Sequence, residues 1–175
     1  AIHRGRAELG LGSAIVFDSK LENEWAECRA KGAFLTANAP HFDLIETMRF
    51  EPGAGISYLD LHIARLGASA AALDFVFDAN RLRASLTQEL EHATQSHTVR
   101  VLLAKRGDLS IERGAPRKFT NDVVDAALLP MPVARTDFRL RHKTTHRAFY
   151  DDARKAAGVE EVVFFDADGF VTEGS

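Results

Sequence analysis

The sequence predicts an α+β domain, a sheet with helices packed on one of its faces. Two adjacent segments carry apolar residues at helical spacing: Leu59, Ile63, Leu66, Ala70 and Leu73 form one stripe, and Leu82, Leu86 and Leu90 form another. Strand-length apolar runs lie on either side, at 42–50, 98–104, 110–113, 123–129 and 161–165. Turn signals separate them, above all Pro52-Gly53-Ala54-Gly55 and Asp166-Ala167-Asp168-Gly169. One strand, two helices and several further strands fit a sheet covered on one side rather than a parallel sheet with alternating crossovers.

Taken in order, residues 8–18 read as a glycine-rich turn entering a short apolar strand. Ser19 followed by Glu22 predicts a capping-box start for a helix, on which Leu21, Trp25 and Cys28 recur and which Phe34 and Leu35 close. Asn38 and Pro40 break the periodicity within 36–41, which sets an expected boundary between a segment 1–38 and a domain 39–175. After the strand at 42–50, Ser57 and Asp60 are the expected cap of the second helix. Residues 145–157 are expected to be helical, and the turn at 166–169 leads into Phe170-Val171-Thr172.

Composition excludes several classes of function. With 46% hydrophobic and 27% charged residues over 175 positions, the chain is long and apolar enough to bury a core. A net charge of −3 gives no electrostatic reason to expect nucleic acid or an anionic membrane as partner. No apolar stretch approaches the ~20 residues that span a bilayer, and the basic start has no apolar run behind it, so no signal peptide is expected. The single cysteine, Cys28, fits a reducing compartment and reads as a core residue, so a cytoplasmic location is the expectation. His62, His142 and His146 lack the spaced carboxylate or cysteine that would complete a metal site.

Three segments carry chemistry: Phe42-Asp43-Leu44-Ile45-Glu46-Thr47-Met48; Leu61-His62-Ile63-Ala64-Arg65-Leu66; and His142-Lys143-Thr144-Thr145-His146-Arg147 followed by Val171-Thr172-Glu173-Gly174-Ser175. In this order and at these spacings they resemble the class IV aminotransferases, the fold-type IV pyridoxal-phosphate enzymes. The Lys-Thr-Thr-x-Arg run followed by Phe149-Tyr150-Asp151 looks like the aminodeoxychorismate lyase branch. The resemblance implies pyridoxal 5'-phosphate as cofactor, with roles for particular residues. Lys143 is the lysine that holds the cofactor covalently and then shuttles protons at the substrate carbon. Glu173 is the carboxylate that keeps the ring nitrogen protonated. Arg65 is the phosphate-binding arginine, a task suited to a forked guanidinium. Arg147 lies near the same site in the family, and Tyr150 either faces the cofactor or packs.

The first forty residues resemble a different family. Gly10-Leu11-Gly12-Ser13 with Ile15, Val16, Asp18 and Ser19, then Glu24, Glu27 and Lys31, look like the end of a chorismate-binding aminodeoxychorismate synthase component I. Glu24, Glu27 and Lys31 share one helix face, where two carboxylates a turn apart can hold Mg²⁺ or can form a solvated acidic face with an internal ion pair. The combined resemblance implies a bifunctional protein of p-aminobenzoate (folate precursor) biosynthesis. It acts on small molecules, is dimeric as the family commonly is, and is served by a glutamine amidotransferase subunit. Alternatives are transamination of a branched-chain or D-amino acid, or a segment without catalytic activity. Because the class IV family continues beyond the position of Ser175 into a second domain, the chain alone is expected to hold little pyridoxal phosphate and no lyase activity.

Overall fold

A computed structural model describes residues 2–3, 6–33, 41–116 and 123–174 of the chain. It divides into two compact units, 1–41 and 42–175. The expected break at 36–40 and the closing residues Phe34 and Leu35 lie outside the described residues.

In the first unit, β1 (Ile2–His3) pairs antiparallel with β2 (Arg6–Ala7), and α1 spans Leu21–Gly32. The apolar strand expected before this helix does not form. Residues 14–16 have no regular structure, 17–18 are a turn, and Ile15, Val16 and Phe17 are exposed. The predicted capping box is also absent. Lys20 occupies the N-cap without a side-chain bond, while Ser19 Oγ accepts from Val16 N at 3.0 Å and donates to Glu24 at 2.8 Å. Helix α1 buries none of its residues: Leu21 and Trp25 are exposed, and Cys28 is half-buried rather than in a core. A unit this short has too little apolar surface to cover its own stripe.

The second unit has two layers of sheet, each with its own helices. Strands β3 (Leu44–Glu51), β4 (Gly55–Ile56), β5 (His97–Leu103) and β6 (Leu109–Gly114) form an antiparallel sheet in the order β4-β3-β5-β6. The register sets Met48 opposite Val99, Glu46 opposite Val101 and Leu44 opposite Leu103. Helices α2 (Leu59–Ala72) and α3 (Ala79–Leu90) bury Ile63, Leu66 and Ala70, and Leu82, Leu86 and Leu90, in one cluster with Leu44, Met48, Phe50, Val99, Val101 and Leu103. These are the stripes the sequence predicts.

The caps differ from expectation. Tyr58, in the left-handed region at φ 54°, precedes α2 without a side-chain cap, and Asp60 instead pairs with Arg83 of α3. Helix α3 is capped by Asp78, whose carboxylate accepts from Asn80 N and Arg81 N at 2.9 and 3.1 Å.

In the second layer, β7 (Ala126–Pro130) runs parallel to β8 (Glu161–Phe165), which pairs antiparallel with β9 (Val171–Gly174). Helix α4 (Ala148–Ala157) makes the crossover and packs Tyr150 onto Val162 and Phe164. It begins three residues later than the 145–157 expected, and the reason is tertiary. Thr145 N donates to Asp43 O at 2.8 Å, and Thr145 Oγ1 accepts from Asp43 N at 2.9 Å. Thr144 forms a bridge with Leu44, and Ile45 N donates to Lys143 O at 3.0 Å. Residues 143–145 therefore extend along the end of β3 and clip the second layer to the first.

Leu66 is 2% exposed at the centre of the larger core. Replacing Leu66 with Ala is expected to cost about 2–5 kcal/mol of unfolding free energy, measured by urea denaturation. A loss below about 1 kcal/mol would place Leu66 at a tolerant edge instead.

Candidate active site

Strand geometry puts alternate residues on one face, so Leu44, Glu46, Met48 and Phe50 all point toward the helices. Three of these are core residues and the fourth is a carboxylate, 2% exposed. Its partners come from α2, where His62 and Arg65 stand one helical turn apart. Arg65 grips Glu46 with two bonds, Nε to Oε1 at 2.7 Å and Nη2 to Oε2 at 2.5 Å, and His62 Nδ1 lies 2.8 Å from Oε2. Burial alone would raise the Glu46 pKa. The hydrogen bonds from Arg65 and His62, with the charges of Arg65 and Lys143, outweigh it and hold the carboxyl below its ordinary value.

Beside this pair opens a polar cleft of about 380 Å³. Arg65 reaches it from α2, Lys143 and Thr144 from the clipped segment, Arg147 and Tyr150 from the start of α4, and Glu173 from β9. Arg139 and Arg141 line the near side. Tyr150 is 4% exposed, and its pKa is raised by burial and by the neighbouring Glu173 carboxylate. The Arg147 guanidinium lies over the Tyr150 ring at 4.6 Å. Arg139 is paired with Asp137 through both ends of its fork, at 2.9 and 2.7 Å. His142 Nδ1 lies 3.1 Å from the buried Ser69 Oγ, and that contact ties α2 to the lysine segment as well.

The cleft makes Lys143 an unusual lysine. Burial pushes its ammonium pKa down. The Glu46 charge opposes this, and the charges of Arg65, Arg147 and Arg100 reinforce it. An amine that loses its proton more easily is a better nucleophile and a better base near neutral pH.

Lys143, Glu173, Arg65, Arg147 and Tyr150, singled out from the sequence, thus line one cleft. Glu46 was not singled out, although a carboxylate at a core register position of an apolar strand is a readable signal. Arg139 carried no comparable signal. Of the three histidines, His142 lines the cleft and His62 serves Glu46. Glu24 and Glu27 lie on α1 in the other unit. Glu27 is bound by Lys31 at 2.6 Å, and Ser19 donates to Glu24. Among the described residues no three acidic, histidine or cysteine side chains gather as a metal site, so no third ligand joins these two for Mg²⁺.

The model of the amino-transferase class IV family matches residues 43–175. The chain belongs to the class IV aminotransferases. A solved structure assigned as an amino-acid aminotransferase from Mesorhizobium loti superposes with a TM-score of 0.66 at 33% identity, over 76% of this chain and 66% of that one. One assigned as a 4-amino-4-deoxychorismate lyase gives 0.61 at 22% identity, over 82% and 60%. A branched-chain amino acid aminotransferase assignment from Thermotoga maritima gives 0.62 at 18%, over 76% and 50%. The last two likenesses show the fold, that of fold-type IV enzymes. No curated protein matches the chain. The chain spans half to two thirds of the length of these structures. No described helix is long and apolar enough to cross a membrane.

Class IV aminotransferases depend on pyridoxal phosphate, and the cleft's donor set fits that group. A desolvated amine, a carboxylate beside a buried tyrosine, and a guanidinium lining the cleft are the chemical types it requires. Lys143 should accordingly titrate below the ordinary lysine range. Amine-directed labelling across pH, read by peptide mass spectrometry, is expected to reach half-maximum at lower pH for Lys143 in the folded chain than for Lys143 in the urea-unfolded chain; coincident curves would contradict the desolvation argument.

Proposed function

We propose that the protein of which this chain is part is a pyridoxal-phosphate-dependent 4-amino-4-deoxychorismate lyase, releasing pyruvate and p-aminobenzoate. The observation that carries the reading is the convergence of Lys143, Glu173 and Arg65 on one cleft in a class IV chain. The Lys143-Thr144-Thr145-His146-Arg147 run leading into Phe149-Tyr150-Asp151 favours the lyase branch. Likeness to a structure assigned as such a lyase is in keeping with it.

When bound, pyridoxal phosphate supplies an electron sink for the carbon that bears the substrate amine. The chain's own residues do the rest. The Lys143 amine would hold the cofactor at rest and, when free, would take the proton from that carbon and return it to the departing enolpyruvyl group. Glu173 would accept a hydrogen bond from the protonated ring nitrogen, and Tyr150 lies beside that carboxylate. Arg65 would bind the phosphate, and Arg147, which lies over the Tyr150 ring, adds positive charge that favours an anionic substrate. Loss of pyruvate leaves an aromatic ring, which drives the reaction forward.

A second reading is transamination of a branched-chain or D-amino acid, in which Lys143 returns the proton to the cofactor carbon instead. The 33% identical structure assigned as an amino-acid aminotransferase favours it. In the lyase reading, residues 1–38 are the end of a chorismate-binding synthase domain that supplies the lyase's substrate. Glu24 and Glu27 then belong to its Mg²⁺ site, and a glutamine amidotransferase subunit and a dimeric assembly are the expected partners. That residues 1–41 form a unit of their own, wholly outside the class IV match, supports this extension.

Borohydride reduction of the full-length protein, followed by peptide mapping, is expected to leave the pyridoxyl label on Lys143. Label on Lys105, Lys118 or Lys155 would sink the assignment. Pyruvate release from 4-amino-4-deoxychorismate is expected, and amino-acid and keto-acid exchange without pyruvate would select the second reading.

Glu173→Gln is expected to slow turnover on the order of 100-fold or more, with cofactor affinity little changed, since an amide no longer favours the protonated ring. Steady-state kinetics beside a cofactor titration would show this, and unchanged turnover would remove Glu173 from the reaction.

A further inference from the structure

We propose that Glu46 is a positioning residue of the cofactor site, which grips one edge of the Arg65 guanidinium and thereby turns the other toward the phosphate. The inference rests on the reading of the cleft given above and deepens it.

The geometry of the pair is asymmetric. Glu46 is 2% exposed at its side chain and Arg65 51%, so one end is anchored in the core and the other borders the cleft. Glu46 takes Nε and Nη2, and among the described residues no protein acceptor takes Nη1. Two parallel bonds to a planar fork leave a single orientation, whereas one bond would leave the group free to pivot. His62 holds the second carboxylate oxygen from the same helix, so the acceptor is itself fixed.

The alternative origin of such a pair is structural: a buried carboxylate that simply needs a counter-charge. That account places no demand on which edge of the guanidinium is left free, nor on the arginine lining a cleft shared with Lys143 and Glu173. A competing electrostatic effect must also be weighed. The carboxylate cancels the arginine's charge, so removing it adds net positive charge beside the phosphate. At a half-exposed guanidinium that added charge is screened by water and salt. The loss of orientation is not screened, because a released arginine regains its rotamer freedom and swings into solvent. Orientation therefore decides the sign.

The test uses the full-length protein without cofactor, titrated spectroscopically with pyridoxal phosphate and, separately, with pyridoxal, which lacks the phosphate. The ratio of the two affinities isolates the phosphate contact from Lys143 chemistry and from general loss of fold. Glu46→Gln is expected to lower the preference for the phosphate form by about tenfold, while pyridoxal affinity changes less than about twofold. Glu46→Asp, which keeps the charge but sets the carboxylate back by one methylene, is expected to fall between, and serves if the glutamine variant fails to fold. In an Arg65→Ala background, Glu46→Gln should change the preference no further.

A role confined to stability would weaken both ligands alike and overturn the proposal. An unchanged preference overturns it as well, and a raised one would mean that Glu46 only competes with phosphate for Arg65. If the unsubstituted protein binds neither compound at Lys143, the reading of the cleft fails and this inference with it. If it prefers the phosphate form and Glu46→Gln keeps that preference, the inference alone fails.

Discussion

A carboxylate on the apolar face of a β-sheet is the constraint around which the larger layer is arranged. An ionised side chain there is tolerated only when paired and hydrogen-bonded, and removing one partner of a buried pair costs about 3–5 kcal/mol. Glu46 therefore dictates how α2 lies on the sheet. The helix must turn His62 and Arg65 toward β3, and at 3.6 residues per turn this leaves Ile63, Leu66 and Ala70 on the face that completes the core. Packing and charge pairing thus fix the same rotation of the helix. Arg65 reaches the cleft because the core has already positioned its backbone.

The second layer contributes the other half of the cleft through its own internal logic. Tyr150 is at once a core residue against Val162 and Phe164 and the electrostatic neighbour of Glu173. Its ring supports the Arg147 guanidinium on the remaining side. One aromatic side chain therefore joins the apolar cluster under α4 to the carboxylate on β9. The parallel pairing of β7 with β8 through α4 brings the start of that helix and the end of β9 to the same rim.

Much of this was legible in the sequence because it is local. The stripes over Leu59–Ala72 and Ala79–Leu90 repeat at helical spacing, and the strand β8 fell within the bounds its apolar run suggested. The cleft residues Lys143, Glu173, Arg65 and Arg147 were found through motif resemblance rather than through periodicity. What escaped was set by non-local contacts or by fine backbone geometry. Helix α4 starts late because Thr144 and Thr145 bond to β3 instead of to their own helix. The cap of α2 is a left-handed Tyr58, which no hydroxyl-to-carboxylate spacing reveals. Glu46 was passed over because its importance lies in partners 16 and 19 residues away. The stripe of α1 follows the expected spacing and yet buries nothing in its own unit.

The clip between β3 and the lysine segment also bears on how the molecule comes into being. Its bonds join positions 102 residues apart, whereas α2 and α3 are closed by contacts within a few residues. The entropy of closing a loop rises with its length, and folding slows as contacts become more distant in sequence. The sheet with its two helices can condense early, but the extended turn carrying Lys143 gains its neighbours only when the last third of the chain docks on β3. Until then the lysine is an ordinary solvated amine. Its reactivity is acquired with the final tertiary contact, so a partly folded chain carries the residue without the chemistry.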